Sequence, residues 1–112
     1  MAIVQALYMD QGTDFSTGIT LYADNGILPL DLTGYSFKAQ MRKSYSSSTA
    51  YTFTCTIGSP TTGQIILTMD SAVTTTVKSG RYLYDIEMVD STGYKSRPVE
   101  GVVIVSPQIT QI

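Results

Sequence analysis

The feature that most constrains this chain is an alternation of apolar and polar residues with a period of two. Tyr35, Phe37, Ala39 and Met41 alternate with Ser36, Lys38, Gln40 and Arg42, and Tyr51, Phe53, Cys55 and Ile57 alternate with Thr52, Thr54 and Thr56. Successive side chains of a strand point to opposite faces, so each segment offers one apolar and one polar face. That is the pattern of half-buried antiparallel strands. Turn signals break the pattern at short intervals: Asp10-Gln11-Gly12, Asp24-Asn25-Gly26, Asp31-Leu32-Thr33-Gly34, the run from Gly58 to Gly63, Ser79-Gly80 and Asp90-Ser91-Thr92-Gly93. Glycine supplies positive φ there, and Asp or Asn closes its own turn through the side chain. Seven strands are expected, over 2–9, 16–23, 35–43, 51–57, 64–69, 81–89 and 94–105. The last two should form a hairpin with Gly93 in the left-handed region. Residues 44–49 read as a polar loop, and 70–77 as one helical turn with Asp70 or Ser71 as N-cap.

Such spacing of short strands predicts an all-β antiparallel sandwich. Gly80-x-Tyr82-x-Tyr84 at a strand start sharpens this to an immunoglobulin-like sandwich of about seven strands. In that fold a tyrosine two residues before a core position bonds back to the preceding corner through its hydroxyl. Tyr82 fits that part; alternatively both tyrosines are simply alternating core residues. The 112 residues make one domain, 1–112, with no room for a second core. The expected core is Tyr35, Phe37, Met41, Phe53, Ile57, Ile65, Leu67, Tyr82, Tyr84, Ile86, Val102 and Ile104, with the register of the last strand left open. Val99, Val103 and Val105 make the other face of the last strand apolar too, so that strand should be covered on both sides, by the sandwich and by a partner.

Little in the chain can do chemistry. There is no histidine, which removes His-based nucleophile activation and His-containing zinc sites. Cys55 is the single cysteine; it admits no intrachain disulfide, and its place between Phe53 and Ile57 predicts a buried, inert thiol. Asp85 and Glu87 share a strand face and could serve a metal or a glycosidase, but a solvated or partner-facing polar edge is the plainer reading. Asp10 to Asp14 resembles a calcium loop only superficially, since the bidentate Glu of such loops is missing. No metal, cofactor or catalytic residue is expected.

Charge is scarce. Charged residues make up 14% of the chain, against roughly 25% in ordinary soluble domains. Thr and Ser replace them, as they would in any strand-rich chain or in one that lives packed against neighbours. The net charge is −2 with no basic patch, so nucleic acid is not an expected partner. No stretch approaches the length of a membrane span, and the N-terminus lacks the features of a signal peptide.

The segment from Asp31-Leu32-Thr33-Gly34-Tyr35-x-Phe37 to Arg42-Lys43-Ser44 resembles the middle of small β-sandwich structural proteins of tailed bacteriophages. The likeness continues through Gly63-Gln64-Ile65-Ile66-Leu67, Gly80-Arg81-Tyr82-x-Tyr84-Asp85-Ile86-Glu87, Asp90-x-x-Gly93, the strand Val99 to Val105, and Ile109-Thr110. It spans roughly Gly12 to Thr110 and brings no catalytic signature. It implies a non-enzymatic virion component of the baseplate, neck, tail, fibre or head-decoration kind, made in the host cytoplasm. Its partners would be copies of itself and other virion proteins in a symmetric assembly. A carbohydrate- or host-surface-binding module is the alternative. Candidate partner contacts are Ile3, Val4, Leu7 and Tyr8 in an uncharged first segment, Tyr22, Tyr45 and Tyr94, Val103 on the last strand, and Ile109 near the C-terminus. Segments 1–9 and 106–112 are candidate assembly arms, because an uncharged strand edge left exposed invites aggregation. The first of them could equally pair inside its own sandwich.

Overall fold

The structure, a computed structural model, describes residues 3–23 and 28–110. The turn expected at Asp24-Asn25-Gly26 lies outside the described residues, as do Met1, Ala2, Gln111 and Ile112. In chain order the strands are β1 (Ile3–Val4), β2 (Leu7–Asp10), β3 (Phe15–Thr20), β4 (Ser36–Arg42), β5 (Tyr51–Ser59), β6 (Gln64–Met69), β7 (Gly80–Val89) and β8 (Lys95–Ser106). A one-turn helix, α1 (Ser71–Thr74), precedes β7. The fold is an all-β sandwich. One layer runs β8-β7-β4-β5 with β1 and β2 both on the outer side of β8; the other runs β5-β6-β3. The topology is immunoglobulin-like. With β1 and β2 counted as one strand, the second, fifth and fourth strands form one layer, and the third, sixth and seventh the other.

Two features depart from a purely antiparallel sandwich. First, β5 belongs to both layers: Tyr51, Thr52 and Phe53 pair with β4, while Thr54 to Ser59 pair with β6. Second, β1 and β2 run parallel to β8, so the sheet is mixed. The expected first strand, 2–9, is thus broken in two, and it lies in its own sandwich instead of forming a free arm. The break has a local cause. Gln5 N–H donates to the Glu100 carbonyl at 2.9 Å, and the Tyr84 hydroxyl donates to the Gln5 carbonyl at 2.7 Å. The Gln5 carbonyl also fills the space a Cβ would need at Gly101. A side chain at 101 would push the first strand off β8.

The β7–β8 hairpin forms as expected, with Gly93 at φ 90°. Asp90 Oδ1 accepts from the Thr92 amide and hydroxyl and the Tyr94 amide. The Asp31-x-Thr33-Gly34 turn repeats the two threonine bonds, while the Tyr35 amide donates to the Leu32 carbonyl, and Gly34 lies against Ser91 of the other turn. In both, the threonine hydroxyl bond holds the carboxyl below its ordinary range.

The register of β8 differs from expectation. Val99, Val103 and Val105 are buried, while Val102 and Ile104 are half-buried on the outer face. Between the pairs Ile86–Val99 and Met88–Ser96, β8 carries Arg97 and Pro98 against the lone Glu87 of β7. This bulge shifts the phase of the strand, and Pro98, which has no N–H to give a ladder, suits it. Pairing of Tyr82 with Val103 and Ile86 with Val99 then puts the odd-numbered valines beside the tyrosines, in the core. Among the other expected core residues, Met41, Phe53, Ile65, Leu67, Tyr82, Tyr84 and Ile86 are buried; Tyr35, Phe37 and Ile57 are only half-buried, where β5 leaves β4. Cys55 sits at the same divergence and is half-buried too, with its thiol pKa raised by desolvation. The corner expected of Tyr82 is present: its ring is buried and its hydroxyl donates to the Lys78 carbonyl at 2.7 Å. At α1, Asp70 occupies the N-cap without a side-chain bond; Asp14 does the capping instead, accepting from Ser71 N–H at 2.7 Å.

Two outcomes follow from this packing. Met9 is 1% exposed and Phe53 3%, so Met9→Ala should cost about 2–5 kcal/mol and Phe53→Ala about 3–5 kcal/mol in urea unfolding. A loss under about 1 kcal/mol for Met9→Ala would mean that β2 is no part of the core. Burial pushes the Tyr84 phenol up to about 12, above the value near 10 of an unfolded tyrosine. The stability that this protonated group contributes is complete below pH 10 and is lost as pH rises toward 12. Tyr84→Phe should cost about 1 kcal/mol at neutral pH and flatten the melting profile above pH 10; equal stability at neutral pH would contradict the Gln5 bond, and identical profiles above pH 10 the burial of the phenol.

Candidate protein–protein docking surface

The chain has seven Lys and Arg and nine Asp and Glu, and none of them falls in β3, β5 or β6. The outer faces of the two layers differ accordingly. On the first layer Lys38 and Arg42 of β4, Arg81, Asp85 and Glu87 of β7, and Arg97 and Glu100 of β8 point outward beside Leu83, Val102 and Ile104. On the second, Ser16, Thr68 and Thr54 make one cross-strand row, and Gly18, Ile66 and Thr56 the next. The strands of that layer carry no charge. Charges hold water strongly and resist being covered, which is why the centres of protein interfaces are depleted in them. A partner can therefore cover the second layer without stripping water from an ion.

The same layer ends in an open edge. In the immunoglobulin arrangement the first strand borders the second. Here the first strand borders the last, and among the described residues β3 pairs only with β6. Edges are commonly guarded by a charge, a proline or a bulge; Phe15-Ser16-Thr17-Gly18-Ile19-Thr20 has none of these. Beside the first half of β3 runs a groove of about 370 Å³ bounded by β2, with Leu7, Tyr8 and Asp10 on one side and Phe15 to Thr17 on the other.

The residues singled out from sequence fall in several places. Leu7 and Val103 are buried, 4% and 0% exposed, and cannot be contacts; their alternation turns them into the core opposite each other. Ile3, Val4, Tyr8, Tyr22, Tyr45, Tyr94 and Ile109 are exposed. They do not form one patch: Val4 and Tyr45 line a second groove, of about 430 Å³, on the charged layer, Tyr8 borders the β3 groove, and Tyr94 is in the β7–β8 turn. Of the C-terminal segment, Gln108 N–H donates to Gln11 Oε1 at 3.1 Å, while the Ile109 side chain stands in solvent. Sequence reasoning missed Ser16, Gly18, Thr20, Thr54, Thr56 and Thr68. The available signal was the run of charge-free strands, which becomes a surface only once β3, β6 and β5 are known to be neighbours.

Asp85 and Glu87 do not make a paired-carboxylate site. Asp85 lies directly opposite Glu100 on the neighbouring strand, and Arg97 stands between them at 3.6 and 3.7 Å. Like charges in that relation repel, and the half-exposed guanidinium offsets them. Asp14 of the supposed calcium loop is engaged with Ser71. Among the described residues no group of three His, Cys, Asp or Glu side chains is placed to hold a metal.

No family model matches the chain, and no curated protein does. A solved structure, Tim-1, aligns over 100% of this chain and 100% of its own at 14% identity, with a TM-score of 0.41. The fold assignment rests on the topology described above.

Arg97→Ala tests the reading of the charged layer. Stability should fall by no more than about 1 kcal/mol at low salt, as for exposed ion pairs, and the difference should vanish near 1 M salt, where the Debye length is about 3 Å. A larger loss that persists in salt would assign Arg97 a packing role instead.

Proposed function

We propose that this chain is a non-enzymatic structural component of a tailed-phage virion, acting by packing against copies of itself and other virion proteins in the tail, neck, baseplate or head-decoration layer. The observation that supports it best is the segregation of charge: one layer keeps the domain solvated, while the other offers a charge-free face and an unguarded edge. The resemblance of the segments around Asp31 to Ser44 and Gly80 to Glu87 to phage β-sandwich proteins points the same way. A carbohydrate-binding role would call for aromatic rings gathered into a platform. The exposed tyrosines Tyr8, Tyr22, Tyr45 and Tyr94 instead sit on β2, in the segment after β3, in the β4–β5 loop and in the β7–β8 turn.

The test is to purify particles of the source phage, dissociate them into capsids and tails, and quantify this chain in each fraction by mass spectrometry. It should co-purify with one fraction at several copies per particle. Absence from washed particles, with the chain left in the lysate, would overturn the proposal.

A further inference from the structure

We infer that the open edge of β3 is where two copies of this chain meet, their β3 strands pairing antiparallel about a two-fold axis to give one continuous sheet. The inference rests on the preceding reading only for the idea that copies pack together; the edge geometry is independent of any virion. An edge strand offers a row of backbone N–H and C=O groups, and the partner that satisfies them is another extended strand. Ser16, Gly18 and Thr20 point to the outer face and are exposed, whereas Phe15 and Ile19 are buried in the core. The outward side chains are therefore short, and a second backbone can approach.

Charge decides between the orientations. Among the described residues Asp14 is the ionic group that adjoins the strand in sequence, with Asp10 across the groove, and Tyr22, bridged to Pro29, lies two residues past its other end. A parallel arrangement in register would set Asp14 beside the Asp14 of the second copy. The antiparallel arrangement with Gly18 facing Gly18 sets each Asp14 opposite a Tyr22, whose hydroxyl can donate to a carboxylate. It also keeps outer face with outer face, because facing residues of a strand pair share a side: Ser16 of one copy faces Thr20 of the other. The two glycines at the centre leave the closest approach unobstructed, and Tyr8, 75% exposed at the rim of the groove beside β3, widens the contact. A six-residue edge is small against the roughly 1,000 Å² of a stable interface, so the pairing is concentration-dependent in solution and becomes permanent only where other contacts raise the local concentration.

Sedimentation equilibrium of the isolated protein from roughly 10 µM to 1 mM, the range of weak association, should show a monomer–dimer equilibrium. The double variant S16K/T20K places two lysine pairs across the two-fold and should weaken the dimer roughly tenfold or more, whereas S16E/T20K places two opposite-charge pairs there and should restore or strengthen it. Both positions are exposed, and equal melting temperatures will show that each variant folds. A monomer at every concentration overturns the inference, even if the chain is recovered from particles in many copies. So does an equal effect of the two double variants, which would put the contact elsewhere on the chain. Dimerisation with the predicted charge dependence supports the inference even if the chain is absent from particles.

Discussion

The sandwich depends on the double membership of β5. Its first three residues extend the β4 ladder, and the remainder peels away to pair with β6. The two layers are thus one hydrogen-bonded ribbon folded on itself, and the core is what the fold traps: Phe53 at the crease, Phe15 with its ring 5.7 Å away, and Tyr84 edge-on at 6.5 Å. Because β5 spends residues on both layers, the second layer has three strands only, and its far side is left to β3. Because the first strand has gone to β8, nothing in the described chain closes that side. The open edge is therefore a result of how the ribbon is divided.

Buried polar groups in this lightly charged chain find uncharged partners within the fold. Tyr82 and Tyr84 each bury a ring and give their hydroxyl to a backbone carbonyl, so each aromatic both fills the core and satisfies a group that water would otherwise have to reach. Thr74, fully buried, donates to the carbonyl of Thr13. No buried side-chain nitrogen or oxygen among the described residues lacks a partner. Side-chain hydroxyls and amides perform the tasks that ion pairs often share, and the strands of the second layer do without charge altogether.

Much of this was legible in the residues. The alternation of Phe37 to Met41 and of Tyr51 to Ile57, the turn at Asp90 to Gly93, and the corner at Tyr82 are local patterns with local physical causes, and each was readable in place. What was not legible depends on which strands become neighbours. Val99, Val102, Val103, Ile104 and Val105 are apolar on both faces, so their register is set by pairing with β7 and by the bulge at Arg97-Pro98, not by their own order. The parallel placement of Ile3 to Asp10 leaves no mark in that segment, since its pattern fits a strand of either direction. The docking surface is similar: scarce charge was visible in composition, but the absence of charge from one layer's strands appears only after three separate strands are set side by side.

The parallel pairing of β2 with β8 also fixes how the domain responds to tension. The chain enters beside Val99 and leaves beyond Ser106, and the two terminal strands point the same way. A pull that draws the ends apart drags these strands in opposite directions along their lengths. Their hydrogen bonds, from the Leu7–Val103 pair to the Asp10–Ser106 pair, are then strained together in shear instead of opening one after another as in a peeled hairpin. The first two turns of the chain, Gln5 held by Tyr84 and Gln11 held to Gln108, brace that ladder at either end. Stretched between neighbours attached at its two ends, the domain resists with its whole terminal ladder at once.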